Sequence, residues 1–419
     1  MEVPRSIHKL SPEVLSLIAQ HLDFPRRERD WDTYNREESD LSNFRLVCKG
    51  FLAASNVPFG KRHFSKIRLL CTEESLKTFV EIVQNPRIEP YIDTVLIDAI
   101  RLTPHGGNTH TYNRGSNECA NLPGPDHGRQ LGVQERFVAS GQEQLLLSHA
   151  LSILHRPLHL GVWASIAGFQ GLCNERSDRH WRTCWTKLAL AEAFRTCIHA
   201  AFASNTRITE LSIDADLCIH HTIAQDLHLD DISSMALKHV ITSVNGFNIS
   251  ALLDDDNDYI DELYHSLLAL NSLASEASSY SINATNIWDN IWDERTAILK
   301  PFKNLRNLTL TALHFKEDVL IDIITCQAHS LRKLTFQGFS LPSRQSWRNV
   351  LTFISHMPCL TALRVDDPGV LDDGFRGQGF YTQVLDKSWT TPEDARRDIE
   401  AFAGSLGRVD KSFTDYAIC

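Results

Sequence analysis

No stretch of this 419-residue chain approaches the roughly 20 consecutive apolar residues that a membrane-spanning helix needs, so no span is expected. Residues 1–5 (Met-Glu-Val-Pro-Arg) carry no apolar signal core before a helix start, and an intracellular protein, cytoplasmic or nuclear, is expected. Positive charge is in deficit: 42 Lys and Arg face 52 Asp and Glu, a formal net charge of −10. That balance opposes general binding to nucleic acid or to an anionic membrane surface. Cysteine is thin and scattered, ten residues in all, and Cys48, Cys197 and Cys326 lie in apolar surroundings. Reduced, buried thiols fit this usage better than a disulfide framework.

Motifs that carry chemistry are also missing. There is no phosphate loop, no serine elbow and no metalloprotease signature. Cys173, His180 and Cys184, with Cys197 and His199 downstream, follow no zinc-finger interval. His220, His221, Asp226, His228 and Asp230 read as a solvated loop. Asp254, Asp256 and Asp258 open like a calcium loop, but Tyr259 stands where that loop needs glycine and His265 where it needs glutamate. Gly374, Gly377 and Gly379 have the reverse of the dinucleotide spacing and no strand-to-helix frame. No catalytic residue, metal or cofactor is expected.

What the chain does have is an ordinary globular composition, 42% hydrophobic and 22% charged, enough for two or three structural units. Near the N-terminus Ser11 can cap a helix with Pro12 at its first position and Glu13 at the positive end of its dipole. Val14, Leu17, Ile18 and Leu22 recur at helical spacing, with Ser16, Ala19, Gln20 and His21 opposite. A second helix is expected from Asp40 or Ser42 onward, its stripe formed by Leu41, Phe44, Cys48, Phe51 and Leu52 and widened by Leu46 and Val47. Two such helices carry more apolar surface than they can hide between themselves.

These residues resemble the F-box family. The resemblance rests on the Leu-x-Pro-Glu opening at Leu10 to Glu13, the aliphatic run to Leu22, and Asp40-Leu41 leading to Leu46-Val47-Cys48-Lys49. It covers about the first 55 residues. Ser11 departs from the family's usual leading proline, and the charged insert 24–39 lengthens the gap between the helices. The resemblance implies docking onto the Skp-type adaptor of a cullin-RING ubiquitin ligase, through Leu10, Pro12, Val14, Leu17, Ile18, Leu41, Leu46, Val47 and Phe51. The order of segments that follows also resembles fungal F-box proteins with a leucine-rich C-terminal region.

Beyond the head, strands are expected at 67–70 and 94–97 around a helix over 73–84 capped by Thr72. Residues 102–132, rich in Gly, Asn, His, Pro and Ser, read as a loop, and helices are expected over 133–154 and 186–203. The six-residue frame Leu-x-x-Leu-x-apolar occurs at Leu305, Leu331 and Leu360, with 26 and then 29 residues between starts, a period within the range of leucine-rich repeats. Ile208 opens a similar frame. Helices are expected over 317–328 and 345–356, and a last one from Thr391.

The expected architecture is mixed α/β: a helical F-box over 1–57, a strand-helix-strand connector over 58–101, a loop over 102–132, and an irregular leucine-rich-repeat-like α/β solenoid over 133–419. The expected role is a non-catalytic substrate receptor of the ligase, with the target protein held by the C-terminal region. A repeat scaffold with no ligase association is the alternative, and an enzyme hidden in the α/β region is the third.

Overall fold

The structure, a computed structural model, describes residues 11–22, 45–102, 125–164, 186–218, 234–252, 271–272, 274–285, 302–366, 368–370, 379–380 and 384–406. Its centre is one ten-stranded, mostly parallel sheet whose strands lie side by side in chain order: β1 Lys66–Leu69, β2 Thr94–Asp98, β3 Leu158–Ala164, β4 Ile208–Cys218, β5 Gly246–Leu252, β6 Ser279–Thr285, β7 Asn307–Thr311, β8 Lys333–Gln337, β9 Ala362–Asp366 and β10 Leu385–Ser388. Only β10 runs antiparallel, against β9. Parallel neighbours need a crossover, and among the described residues helices supply it from β1 to β5 and from β7 to β9.

In chain order the helices are α1 Pro12–Leu22, α2 Lys49–Phe64, α3 Glu73–Gln84, α4 Pro125–Ala139, α5 Gln142–Ile153, α6 Leu190–Ser204, α7 Ser234–Thr242, α8 Glu317–Thr325, α9 Arg344–Ser355 and α10 Pro392–Ser405. Helices α3, α5, α6 and α7 pack in series, as do α8, α9 and α10. They join one continuous core with the sheet. The packing follows from a frame written into every parallel strand. Ile67 and Leu69 lie in register with Val95 and Ile97, Leu160 and Val162, Leu211 and Ile213, Phe247 and Ile249, Tyr280 and Ile282, Leu308 and Leu310, Leu334 and Phe336, and Leu363 and Val365. Each of these is buried and shares one face of its strand with its pair mate, two residues on. Three residues before the first of seven of these nine pairs sits another apolar anchor: Ile92, Ile208, Val244, Ala277, Leu305, Leu331 and Leu360, all buried.

The turns into the strands repeat as well. The carbonyl of Ser278 accepts from the N–H groups of Arg306 and Asn307, that of Arg306 from Arg332 and Lys333, and that of Arg332 from Thr361 and Ala362. This forked bond satisfies the backbone at each entry to the sheet.

Several expectations need correcting. The expected loop 102–132 contains the start of α4, and the expected helix 133–154 is broken at Gly141, whose φ of +67° no continuous helix can accommodate. Residues 186–188 form a strand paired antiparallel with Ile100–Leu102, not the first turn of a helix. The gap between the frames at Ile208 and Leu305 holds two more strands, β5 and β6, whose anchors Val244 and Ala277 are not leucine and so escaped the pattern. Of the three thiols expected to be buried, Cys197 is fully so, Cys48 partly, and Cys326 is exposed. Among the described residues no helix is long and apolar enough to cross a membrane.

Candidate docking face of the N-terminal helices

Local chemistry starts α1 as expected. Ser11 Oγ accepts from the N–H of Val14 at 3.5 Å, and the Ser11 carbonyl accepts from Leu15 N at 3.0 Å. The Glu13 carboxylate, bonded by the Ser11 hydroxyl and by its own backbone amide, is held below its ordinary pKa. An anion is favoured at this end of the helix by the dipole.

The second helix differs from its expected form. Residues 45–47 make a helical turn, Cys48 is extended (φ −165°, ψ 170°), and α2 then runs from Lys49 through the buried Pro58 to Phe64. The boundary drawn at residue 57 therefore falls inside a helix. Arg45 bridges the break: its Nη1 donates to Asn56 Oδ1 at 3.1 Å, and its guanidinium lies 3.8 Å from the centre of the Phe59 ring.

Helices α1 and α2 share a small core of Leu15, Ala19 and Phe51, with Ile18, Cys48, Ala54 and Phe59 packed around it. The inward stripe of α1 is thus Leu15 and Ala19. Periodicity had put Ala19 on the polar face, because a methyl group says little about which way a helix is turned. Among the nine residues named for docking, Leu10 and Leu41 lie outside the described residues. Phe51 is consumed by the head's own core, Ile18 is half-buried and Pro12 is exposed. Val14, Leu17, Leu46 and Val47 are left open, at 41%, 55%, 83% and 53% exposure. Leu52 and Val57 on α2, which were not named for docking, are exposed too. Fully burying an aliphatic side chain of this size is worth roughly 1.5–3 kcal/mol, so a partner that covers several of them gains affinity.

The head is fixed to the sheet. Phe59 belongs to the head's core and Phe64 to the main one, and their rings lie 6.1 Å apart. Gly60 lies against the ring of Tyr91, so close that a Cβ on it would stand 2.3 Å from the ring. Beside this contact a groove of about 900 Å³ runs between α2 and the turn 85–91, with Arg45, Lys49 and Arg87 on its rim.

Neither protein-family models nor curated proteins give a match to this chain.

Most of the residues weighed for metal binding lie where the structure gives no description. Cys173, His180, Cys184, His220, His221, Asp226, His228, Asp230 and Asp254 to Asp258 lie outside the described residues. Cys197 is buried in α6, where its thiol faces the Gly161 carbonyl at 3.7 Å and burial raises its pKa far above the ordinary value. His199, half-buried between Ile198 and Ala200 on α6, is held below its ordinary pKa by partial burial and by Arg195.

Proposed function

We propose that the chain is a substrate-recognition subunit of an SCF-type cullin-RING ubiquitin ligase, with an F-box-like head and a leucine-rich-repeat-like solenoid. The observation that carries this reading is that Val14, Leu17, Leu46 and Val47 stay open on a head whose own core, among the described residues, is three buried side chains. Such side chains gain by being covered, and they are four of the nine positions carried over from the family resemblance. The rigid seating of α2 on the sheet, through Phe64 and the Gly60–Tyr91 contact, suits a receptor that must hold a target at fixed distance from its adaptor. The target then docks on the repeat region, and transfer chemistry comes from other subunits.

Co-expression with a Skp-type adaptor tests this. Wild type co-purifies; Leu17→Asp with Val47→Asp folds normally, because both sites are exposed, and loses at least ~30-fold in affinity, the scale of a 2 kcal/mol hot spot. Wild type that does not bind, or a double variant that binds equally, leaves the scaffold reading in its place.

A further inference from the structure

The sheet face away from the helices is mostly polar, its rows filled by Ser, Thr and Asn at half-buried positions. One place on it is built differently. His159 on β3 and Glu210 on β4 are register partners, and Ser212 lies two residues beyond Glu210, opposite Gly161. His159 Nε2 is 2.8 Å from Ser212 Oγ, and His159 Nδ1 is 3.6 Å from Glu210 Oε2. Carboxylate, imidazole and hydroxyl therefore stand in the order that activates a serine: a proton on Nδ1 facing Glu210 leaves Nε2 to accept from the hydroxyl.

Three local departures from regular sheet produce this order. The pairing of β3 with β4 shifts by one residue at Thr209, and this irregularity brings Glu210 level with His159. Bulges of this kind re-aim side chains beside functional sites. At Gly161 a Cβ would stand 2.1 Å from Ser212 Oγ, so the hydroxyl occupies the space that a side chain there would fill. At Gly246 a Cβ would stand 3.1 Å from Glu210 Cγ, so that carboxylate too leans over a glycine. Glycine within a strand costs roughly 0.5–1 kcal/mol, and it often marks close approach. On the far side of Ser212 its register partner is Asn248, half-buried, whose carboxamide makes no hydrogen bond to any described residue. A carboxamide on the strand beside Ser212 is the kind of donor that stabilises an oxygen gaining charge.

We infer that His159, Glu210 and Ser212 form an acyl-transfer site for small uncharged esters, with Asn248 as oxyanion donor. In the step, Ser212 Oγ bonds to the carbonyl carbon while its proton passes to His159 Nε2. The bond to the leaving alcohol breaks, and that oxygen takes the proton from His159. Water then attacks the acyl-serine, its proton passes to His159 and on to Ser212 Oγ, and the acid is released. Ser212 retains only 5% of its surface while the His159 side chain keeps 23%, so the acyl group must be slim and must enter beside the imidazole. Glu210 is a positioning residue, acting through His159. The site lies on the sheet, away from the α1–α2 head, and does not depend on adaptor binding.

The full chain incubated with p-nitrophenyl acetate tests the inference by nitrophenol release and by peptide mapping of the acetyl adduct. The expected result is acetylation of Ser212, abolished in Ser212→Ala and slowed by at least ~10²-fold in His159→Ala, the usual scale of general-base catalysis. Added imidazole raises the rate of His159→Ala above that of the same imidazole with Ser212→Ala, which neither free imidazole nor a structural role for the ring explains. Glu210→Gln slows the reaction and Glu210→Asp recovers much of it, whereas Ser281→Ala, two strands away on the same face, changes nothing. If Ser212→Ala fails to fold, the His159 and Glu210 variants decide, since both side chains reach solvent. Absence of an adduct on Ser212, or an unchanged rate in His159→Ala, overturns the assignment.

Discussion

Replacing Glu143 by Met breaks a buried ion pair and measures how strongly it ties the short strand Ile100–Leu102 to α5. Arg101 retains 2% of its surface; its Nη2 donates to Glu143 Oε1 at 2.9 Å and its Nη1 to the Asp98 carbonyl at 2.8 Å. Burial alone lowers the guanidinium's pKa, but Cys71, Glu143, Glu192 and Asp98 together outweigh it and hold the value up. Stranding one charge of a buried pair costs about 3–5 kcal/mol. After Glu143→Met the cation still has Glu192 and Asp98 nearby, so the lower end, about 3 kcal/mol, is expected. Arg101→Met leaves the carboxylates facing one another without a cation and falls at the upper end. The double variant recovers part of the loss, because a Met pair leaves no buried charge to compensate. Urea unfolding followed by circular dichroism checks all three, with hydrogen exchange at 100–102 and 142–153 reporting whether the loss is local. A cost below about 1 kcal/mol for Glu143→Met, the level of an exposed pair, refutes the reasoning. So does a smaller loss for Arg101→Met than for Glu143→Met.

Other expectations rest on single positions. Ala312 and Gly338 occupy equivalent places after β7 and β8, with φ of +54° and +55°, so Ala312→Gly stabilises by about 1 kcal/mol in thermal unfolding and Gly338→Ala destabilises by a similar amount. Gly60→Val drives a side chain into the Tyr91 ring and costs about 1–3 kcal/mol, while Tyr91→Ala in the same chain relieves most of it; differential scanning calorimetry reads both. The buried thiols of Cys71 and Cys197 have pKa values raised by burial above the ordinary 9.0. A raised folded-state pKa gives stability that is complete below pH 9 and lost as pH climbs above it, so the alkaline limb of unfolding is shallower in Cys71→Ala with Cys197→Ala. In the native state a thiol reagent labels Cys326 and spares both buried thiols.

The repeat was legible wherever leucine marked it. Leu305, Leu331 and Leu360 announced β7, β8 and β9, and Thr72 and Thr391 announced α3 and α10 through caps that form: Thr72 Oγ1 accepts from Ser75 N, and Thr391 Oγ1 from Asp394 N. Strands β5 and β6 were missed because burial against neighbouring strands accepts Val244 and Ala277 as readily as leucine, and a pattern keyed to one residue type cannot register that. On the head, periodicity located two amphipathic segments but not their rotation. Ala19 turns inward and Leu17 outward because Leu15 and Phe51 claim the small space between α1 and α2.

By itself the sequence determined the leucine-framed strands and the local starts of α1, α3, α8, α9 and α10, since spacing and caps act over a few residues. Only the tertiary structure decided which apolar side chains remain uncovered at the head, because exposure depends on which partners arrive first in space. It alone brought His159 to Ser212 and Arg101 to Glu143, pairs 53 and 42 residues apart, since the register of distant strands and the docking of α5 are set by the packing of the whole sheet.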